Sequence, residues 1–247
     1  MRRDLPIGQA LGQFQVALGQ AHRLPRLGGF ARIRAVKSGN KKARYVLGID
    51  FGTLSGRALL VNVGTGEEVA WADHNYKSAV IEKSLPGSKK RLKPLTALQD
   101  PADYIEVLRK AVPQVMRLSK AKPEQVLGIG IDFTSCTMLP TLADGTPLCS
   151  LKKWRNNPHA WVKLWKHHAA QPEANRINEV GLRRNEDFIT AYGGKYSSEW
   201  FFAKMLETVR EAPGVYEAAE RFVEAGDWLV WQLIGREKRS LSAAGFK

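Results

Sequence analysis

A chain of 247 residues with 44% hydrophobic and 25% charged residues can bury a sizeable core and is too apolar for wholesale disorder. Its two cysteines, Cys136 and Cys149, exclude a disulfide scaffold and suit a reducing, cytoplasmic compartment. No stretch approaches the roughly 18 uncharged apolar residues of a spanning helix, so no membrane is expected as a partner. The formal charge of +14 would suit a nucleic-acid binder, but it is unevenly spread. Ten Lys/Arg against one acid in residues 1–44 give +9, whereas 28 basic and 23 acidic residues in 45–247 give +5. The body is therefore not expected to bind nucleic acid.

Residues 1–43 read as a basic, disordered leader that makes no fixed contact with the rest. The segment is rich in Gly, Gln and Arg and closes on Ser38-Gly39-Asn40-Lys41-Lys42, a polar linker composition. Gln9, Gln13, Gln15 and Gln20 interrupt any secretory apolar region, and serine is scarce for a transit peptide. The rival reading is a basic tail that binds nucleic acid.

From residue 45 the elements follow in order. Residues 45–51 are a short apolar run stopped at Gly52, and 57–63 form a second; Gly64-Thr65-Gly66 then turns into a third over 68–76. Links this short predict an antiparallel meander. Residues 83–94 read as a loop. Asp100-Pro101 supplies an N-cap and a first-turn proline for a helix over 101–118. Pro113 is expected to kink or break it. The apolar run 126–133 predicts a strand in the same sheet, buried on both faces, and Asp144-Gly145 marks a hairpin-like turn. From 156 onward the pattern predicts helices: one opening at Asn157-Pro158 with Trp161, Leu164, Trp165 and His168 along a stripe, one from Pro172, one capped by Ser197 or Ser198, and one from Pro213. Strands first and helices later predict an α/β layered fold.

Two segments carry chemistry. Asp50-Phe51-Gly52-Thr53-Leu54-Ser55-Gly56-Arg57 joins two strands through small and hydroxylated residues. Its glycines allow close backbone approach. Thr53, Ser55 and backbone N–H groups can donate to phosphate oxygens, with Arg57 adding charge. Asp50 at a strand end could hold a hydrated Mg²⁺. A plain hairpin with a capping Asp reads the same residues without a ligand. No Gly-Lys-[Ser/Thr] follows, so this is not a Walker loop. The second segment, 128–138, again ends an apolar strand in Asp132-Phe133 and then Thr134-Ser135-Cys136-Thr137. Two such strand ends can border one cleft, or Asp132 and Thr134 can simply satisfy a tight turn. Cys136 reads as a packed small residue rather than a nucleophile. The five histidines lack metal-ligand spacing and read as solvated or hydrogen-bonded. Trp154, beside Arg155, is the tryptophan best placed to stack a sugar ring.

Residues 46–61, 128–140, 157–168 and 193–202 together resemble the ribulokinase branch of the FGGY carbohydrate kinases, within the actin-like ATPase superfamily. The resemblance runs from about residue 44 to the end. It implies a ribonuclease-H-like α/β domain over 44–247, incomplete and without the family's second domain. It also implies ATP and Mg²⁺, and phosphoryl transfer to L-ribulose in arabinose catabolism. By that resemblance Asp50, Gly52, Thr53, Ser55 and Arg57 form the first phosphate element. Ser135 and Lys247 (in Ala244-Gly245-Phe246-Lys247) lie on the sugar. The general-base Asp is expected beyond residue 247. Lys152-Lys153 and Ala203 depart from the family pattern. Phosphoryl transfer needs both sides of a cleft, so this chain by itself is expected to be inactive. The alternative is a non-catalytic sugar- or nucleotide-binding remnant.

Overall fold

The computed structural model describes residues 43–244. Residues 1–42 and 245–247 lie outside the described residues, and with them the disordered leader and the sugar contact expected of Lys247. Ala43, the last residue of the expected leader, is described, and its carbonyl accepts from the Gln125 side-chain amide at 2.9 Å. The chain divides into two compact units. The first comprises 43–50, 56–74 and 107–132, and the second comprises 51–55, 75–106 and 133–244.

The first unit holds a four-stranded sheet in the order β3-β2-β1-β5, with β1 at Tyr45–Phe51, β2 at Ser55–Asn62, β3 at Glu68–Asn75 and β5 at Val126–Phe133. β1 alternates as the sequence implies: Leu47 and Ile49 are buried, whereas Val46, Gly48 and Asp50 are exposed. Ala58 and Leu60 continue the buried face on β2. The links 52–54 and 63–67 are too short for a crossover, so β1 to β3 form the expected antiparallel meander. Asn62 Oδ1 accepts from the Gly64 N–H at 2.9 Å, and Gly66 takes φ +77° to close the second turn. Helix α1, Pro101–Ser119, buries Val107, Ala111, Val112 and Val115 in this unit. Its close approach explains Gly56: a Cβ there would meet Val107 Cγ1 at 2.6 Å. Gly56 thus has a packing reason to lack a side chain.

Of the kink or break expected at Pro113, the break does not occur: α1 runs on through Pro101–Ser119. A proline removes one bond of the helical ladder, and the apolar stripe on either side of it holds the rest. β5 joins the sheet as expected, but none of its eight residues is buried and Leu127 is 47% exposed. An all-apolar run signals burial on both faces, yet among the described residues β5 is an outer strand. Leu60→Ala is therefore expected to cost about 2–5 kcal/mol, and Leu127→Ala less than about 1 kcal/mol. Urea midpoints of the two variants check the contrast, and equal losses would contradict it.

The second unit is built on a sheet in the order β4-β7-β6-β8, with β4 at Leu98–Gln99, β6 at Met138–Thr141, β7 at Val162–Lys163 and β8 at Arg221–Glu224. The pairings are antiparallel, with Leu98 opposite Lys163, Met138 opposite both Lys163 and Glu224, and Thr141 opposite Arg221. The Asp144-Gly145 turn forms as expected, with Gly145 at φ +85° and its carbonyl accepting from the Trp228 indole at 2.8 Å. Five helices follow: α2 Gln171–Arg184, α3 Asp187–Ala191, α4 Phe201–Glu211, α5 Pro213–Ala218 and α6 Ala225–Ile234. A last short turn, α7, spans Leu241–Ala244.

The helix expected from Asn157-Pro158 is absent. Asn157 Oδ1 does cap, accepting from the His159 N–H at 3.0 Å. It caps one 3₁₀ turn, Pro158–Ala160, because the next residues are drawn into β7 between β4 and β6. The α4 helix begins where expected, but neither serine caps it. Ser197 Oγ accepts from the Glu199 N–H, and Ser198 Oγ pairs with His168 Nδ1. The Asp100 cap holds, with Oδ1 accepting from the Ala102 N–H at 2.9 Å. Phe51, Tyr76, Tyr104 and Phe133 form one aromatic cluster in this unit, with Phe51 stacked on Phe133 at 5.3 Å and Tyr104 edge-on to both.

Candidate functional site

The turn 51–55 is held from three sides within the second unit. Gly52 N–H donates to the Ser55 carbonyl at 3.0 Å, and a Cβ on Gly52 would crowd that oxygen at 3.3 Å. The Thr53 carbonyl accepts from the Gln99 amide at 2.8 Å, and Gln99 Oε1 accepts from the Tyr104 hydroxyl at 2.6 Å. The Tyr76 N–H donates to the Leu54 carbonyl at 2.9 Å. The Trp165 indole N–H donates to Thr53 Oγ1 at 3.2 Å, which leaves the threonine's own O–H to donate elsewhere. Thr53 and Ser55 are half-buried and Leu54 is exposed. Such a fixed turn with open hydroxyls can receive an anionic oxygen. Asp50 and Arg57 flank it in the chain but belong to the first unit. There they stand on β1 and β2 with exposed side chains, opposite the buried Leu47–Ile49 and Ala58–Leu60 face.

The turn after β5 is equally constrained. Ser135 is exposed at its apex, and Cys136 is buried at φ +60°. Thr134 and Thr137 hydroxyls pair at 2.8 Å. Thr137 Oγ1 accepts from the Trp165 N–H at 3.2 Å, and the Thr137 carbonyl accepts from the Ala225 N–H at 2.7 Å. Trp165, 37% exposed, thus links this turn to Thr53 through its backbone and its indole. Trp154, the expected stacking residue, is half-buried. It packs on the cluster of Ile81, Leu98, Leu148 and Trp161, with Lys153 Nζ 4.6 Å above its ring.

The second unit also holds a buried charged network that none of the expected motifs contains. Lys163, on β7 and 1% exposed, donates from Nζ to Glu207 Oε2 at 2.6 Å, Thr208 Oγ1 at 2.8 Å and the Lys204 carbonyl at 2.8 Å. His167 Nδ1 accepts from the Ala97 N–H at 3.2 Å, so its proton sits on Nε2 and is donated to Glu207 Oε2 at 2.9 Å. Burial alone would push the Glu207 carboxyl up, but Lys163 and His167 outweigh it and hold the group well below the carboxylate range. Burial pushes His167 down to about 4 and His159 down to about 3. A cavity lined by Lys93, Thr96, His159, His167, Glu207 and Glu211 opens beside the network. Burial pushes the Cys149 thiol up to about 12, as a packed residue requires. Among the described residues no group of three His, Cys, Asp or Glu could hold a metal ion, and no helix is long and apolar enough to cross a membrane. Of the described histidines, His167 pairs with Glu207, His168 faces Ser198 and Glu199, and His159 Nε2 stands 3.6 Å from Glu211. The missed residues carry no motif. His167 follows Lys163 by four and Glu207 follows Lys204 by three, spacings common on any polar surface.

The histidines give a pH prediction. Both have native pKa values below their usual 6.5, so below pH 6.5 the unfolded chain binds protons that the native chain refuses. Stability is therefore expected to fall as pH drops from about 6.5 toward 4, before most carboxylates protonate. Urea midpoints at pH 7.5, 6 and 5 measure it, and a flat midpoint across that range would contradict the assignment.

Comparison with known proteins identifies the class. The gluconate kinase of Lactobacillus acidophilus superposes with a TM-score of 0.64 at 15% identity, over 83% of this chain and 36% of that one. Plasmodium falciparum glycerol kinase, solved with ADP, gives 0.61 at 16% identity, over 83% of this chain and 37% of that one. The fold is thus the mixed α/β fold of these sugar kinases, as the resemblance implied. The model of the FGGY family of carbohydrate kinases, N-terminal domain, matches residues 45–245, and the chain belongs to that family. Ribulokinase of Mycolicibacterium smegmatis is 51% identical over 205 residues, 83% of this chain and 36% of its own length. Ribulokinase of Bacillus licheniformis is 52% identical over 194 residues, 78% of this chain and 35% of its own. The chain therefore spans about a third of the length of the curated relatives it matches.

Proposed function

We propose that this chain is the N-terminal domain of an ATP-dependent, cytoplasmic L-ribulokinase. The observation that supports the substrate is the identity of about half its residues to ribulokinases. It far exceeds the identity to the xylulose, gluconate and glycerol kinases that share the fold. In this reading Gly52, Thr53 and Ser55 donate backbone N–H and hydroxyl protons to nucleotide phosphate oxygens, and Arg57 adds charge. Asp50, a single exposed carboxylate, fits a Mg²⁺ held through water, the ion's usual mode beside phosphates. Mg²⁺ would supply charge neutralisation between phosphates. Ser135 and the neighbouring Trp165 lie on the sugar side, with Lys247 outside the described residues.

The chain by itself is proposed not to turn over ATP, because positioning and charge stabilisation must come from both sides of a cleft. The second reading is a domain that binds sugar or nucleotide without catalysis. Coupled ADP-release assays with L-ribulose decide between them. They compare the 247-residue chain with a chimera joining residues 44–245 to the remainder of the M. smegmatis ribulokinase. The chimera is expected to be active and the chain silent. Robust turnover by the chain would overturn the first point, and a folded but inactive chimera would overturn the kinase reading.

A further inference from the structure

Lys204 is completely buried, at 0% exposure on α4, and among the described residues its ammonium's hydrogen bonds go to carbonyls rather than to a carboxylate. It donates to three of the backbone: Cys136 at 2.7 Å, Leu164 at 2.7 Å and Trp165 at 3.3 Å. An ammonium has three donors and no acceptor, so this environment uses it fully. Burying a cation without a directly bonded carboxylate is costly. An apolar residue of the same shape would avoid that cost but leave the three carbonyls without this donor. What the lysine achieves is geometric. The Cys136 carbonyl belongs to the turn that presents Ser135, and Leu164 and Trp165 belong to the segment leaving β7.

We propose that Lys204 is a positioning residue that fixes the Ser135 turn and Trp165 to one another, and through the Trp165 indole sets the Thr53 turn. The bond from Trp165 Nε1 to Thr53 Oγ1 and the bond from its N–H to Thr137 Oγ1 complete the path. Lys204 thereby orders two segments that it does not expose to solvent. Its part in sugar affinity rests on the ribulokinase reading above; the ordering of the turns does not. A pH signature accompanies it. Burial pushes Lys204 down to about 7, against Glu224 on β8 and Glu199 before α4, with Cys136 and Lys163 also facing it. Deprotonation removes one of the three donors, so the arrangement loosens as pH rises through that value.

The test uses the 247-residue chain labelled with 5-fluorotryptophan. Its Trp165 ¹⁹F resonance is identified by its loss in Trp165→Phe. Lys204→Met is expected to shift or broaden the Trp165 signal, while the Trp228 and Trp231 signals keep their positions and report an intact fold. In the unmodified chain the Trp165 signal is expected to titrate near pH 7, and in Lys204→Met it should not. An unmoved Trp165 signal in folded Lys204→Met overturns the proposal. If that variant does not fold, Lys204→Gln replaces it, and an unmoved Trp165 signal in the folded variant overturns the proposal. Calorimetry with L-ribulose is expected to show roughly tenfold weaker binding in Lys204→Met. If the unmodified chain binds no ribulose while the Trp165 shifts are as expected, the sugar reading fails and the positioning role stands.

Discussion

Glu207→Ala is expected to destabilise the domain by about 3–5 kcal/mol, the usual consequence of removing one member of a buried charge pair. Glu207 is 1% exposed. Its carboxylate accepts from Lys163 at 2.6 Å and from His167 at 2.9 Å, and Lys93 Nζ stands 3.5 Å from its other oxygen. Truncation leaves the Lys163 ammonium enclosed with the Thr208 hydroxyl and the Lys204 carbonyl as its acceptors among the described residues. The one anionic partner vanishes while the desolvation of the lysine stays. The double variant Lys163→Met/Glu207→Leu should recover most of the loss, because it removes both charges and fills the space. Urea unfolding followed by circular dichroism measures the series. A loss below about 1 kcal/mol for Glu207→Ala would mean that water already solvates the pair in the native state.

In the kinase chimera, Asp50→Asn and Arg57→Ala are each expected to lower kcat by roughly 10²–10³-fold, with little change in the KM for L-ribulose. Both side chains are exposed on the sheet of the first unit, so the substitutions leave the fold intact, and identical circular dichroism spectra should accompany the loss. The reason is that charge on the transferring phosphoryl group changes most in the transition state, where a Mg²⁺-orienting carboxylate and a cation act. Steady-state ADP release with both substrates varied provides the test. Unchanged kcat in Asp50→Asn would remove Asp50 from the phosphate element, and a raised KM with normal kcat would move it to ground-state binding.

Where local chemistry decides the outcome, the sequence was sufficient. Alternating Leu47, Ile49 and Phe51, followed by links too short to cross a sheet, leave an antiparallel meander as the available arrangement. Asp100-Pro101 starts α1 because the cap and the fixed proline φ are properties of two adjacent residues. The family was legible for the same reason: contiguous stretches such as 46–61 and 157–168 carry it without reference to the fold.

What failed were inferences about partners distant in the chain. The stripe of Trp161, Leu164, Trp165 and His168 has helical spacing. Residues 162–163 nonetheless pair with 98–99 on one side and 138 on the other, and two ladders outweigh a helix of no established nucleus. Helix α1 survives Pro113 because packing along its apolar stripe exceeds the loss of one hydrogen bond. β5 reads as doubly buried from its composition, yet its exposure is set by what adjoins it in space.

The sequence by itself determined the family, the α/β class, the first meander and the hydroxyl-rich turn at Thr53, all of which are written in runs of neighbouring residues. Only the tertiary structure decided that Trp165 adjoins that turn, that Gly56 packs against Val107, and that Lys163, His167, Lys204 and Glu207 form one buried network. A lysine's or glutamate's role depends on whether the fold removes it from water and what it then meets. Those facts follow from contacts spanning about 40 to more than 100 residues of chain, beyond the reach of any local pattern.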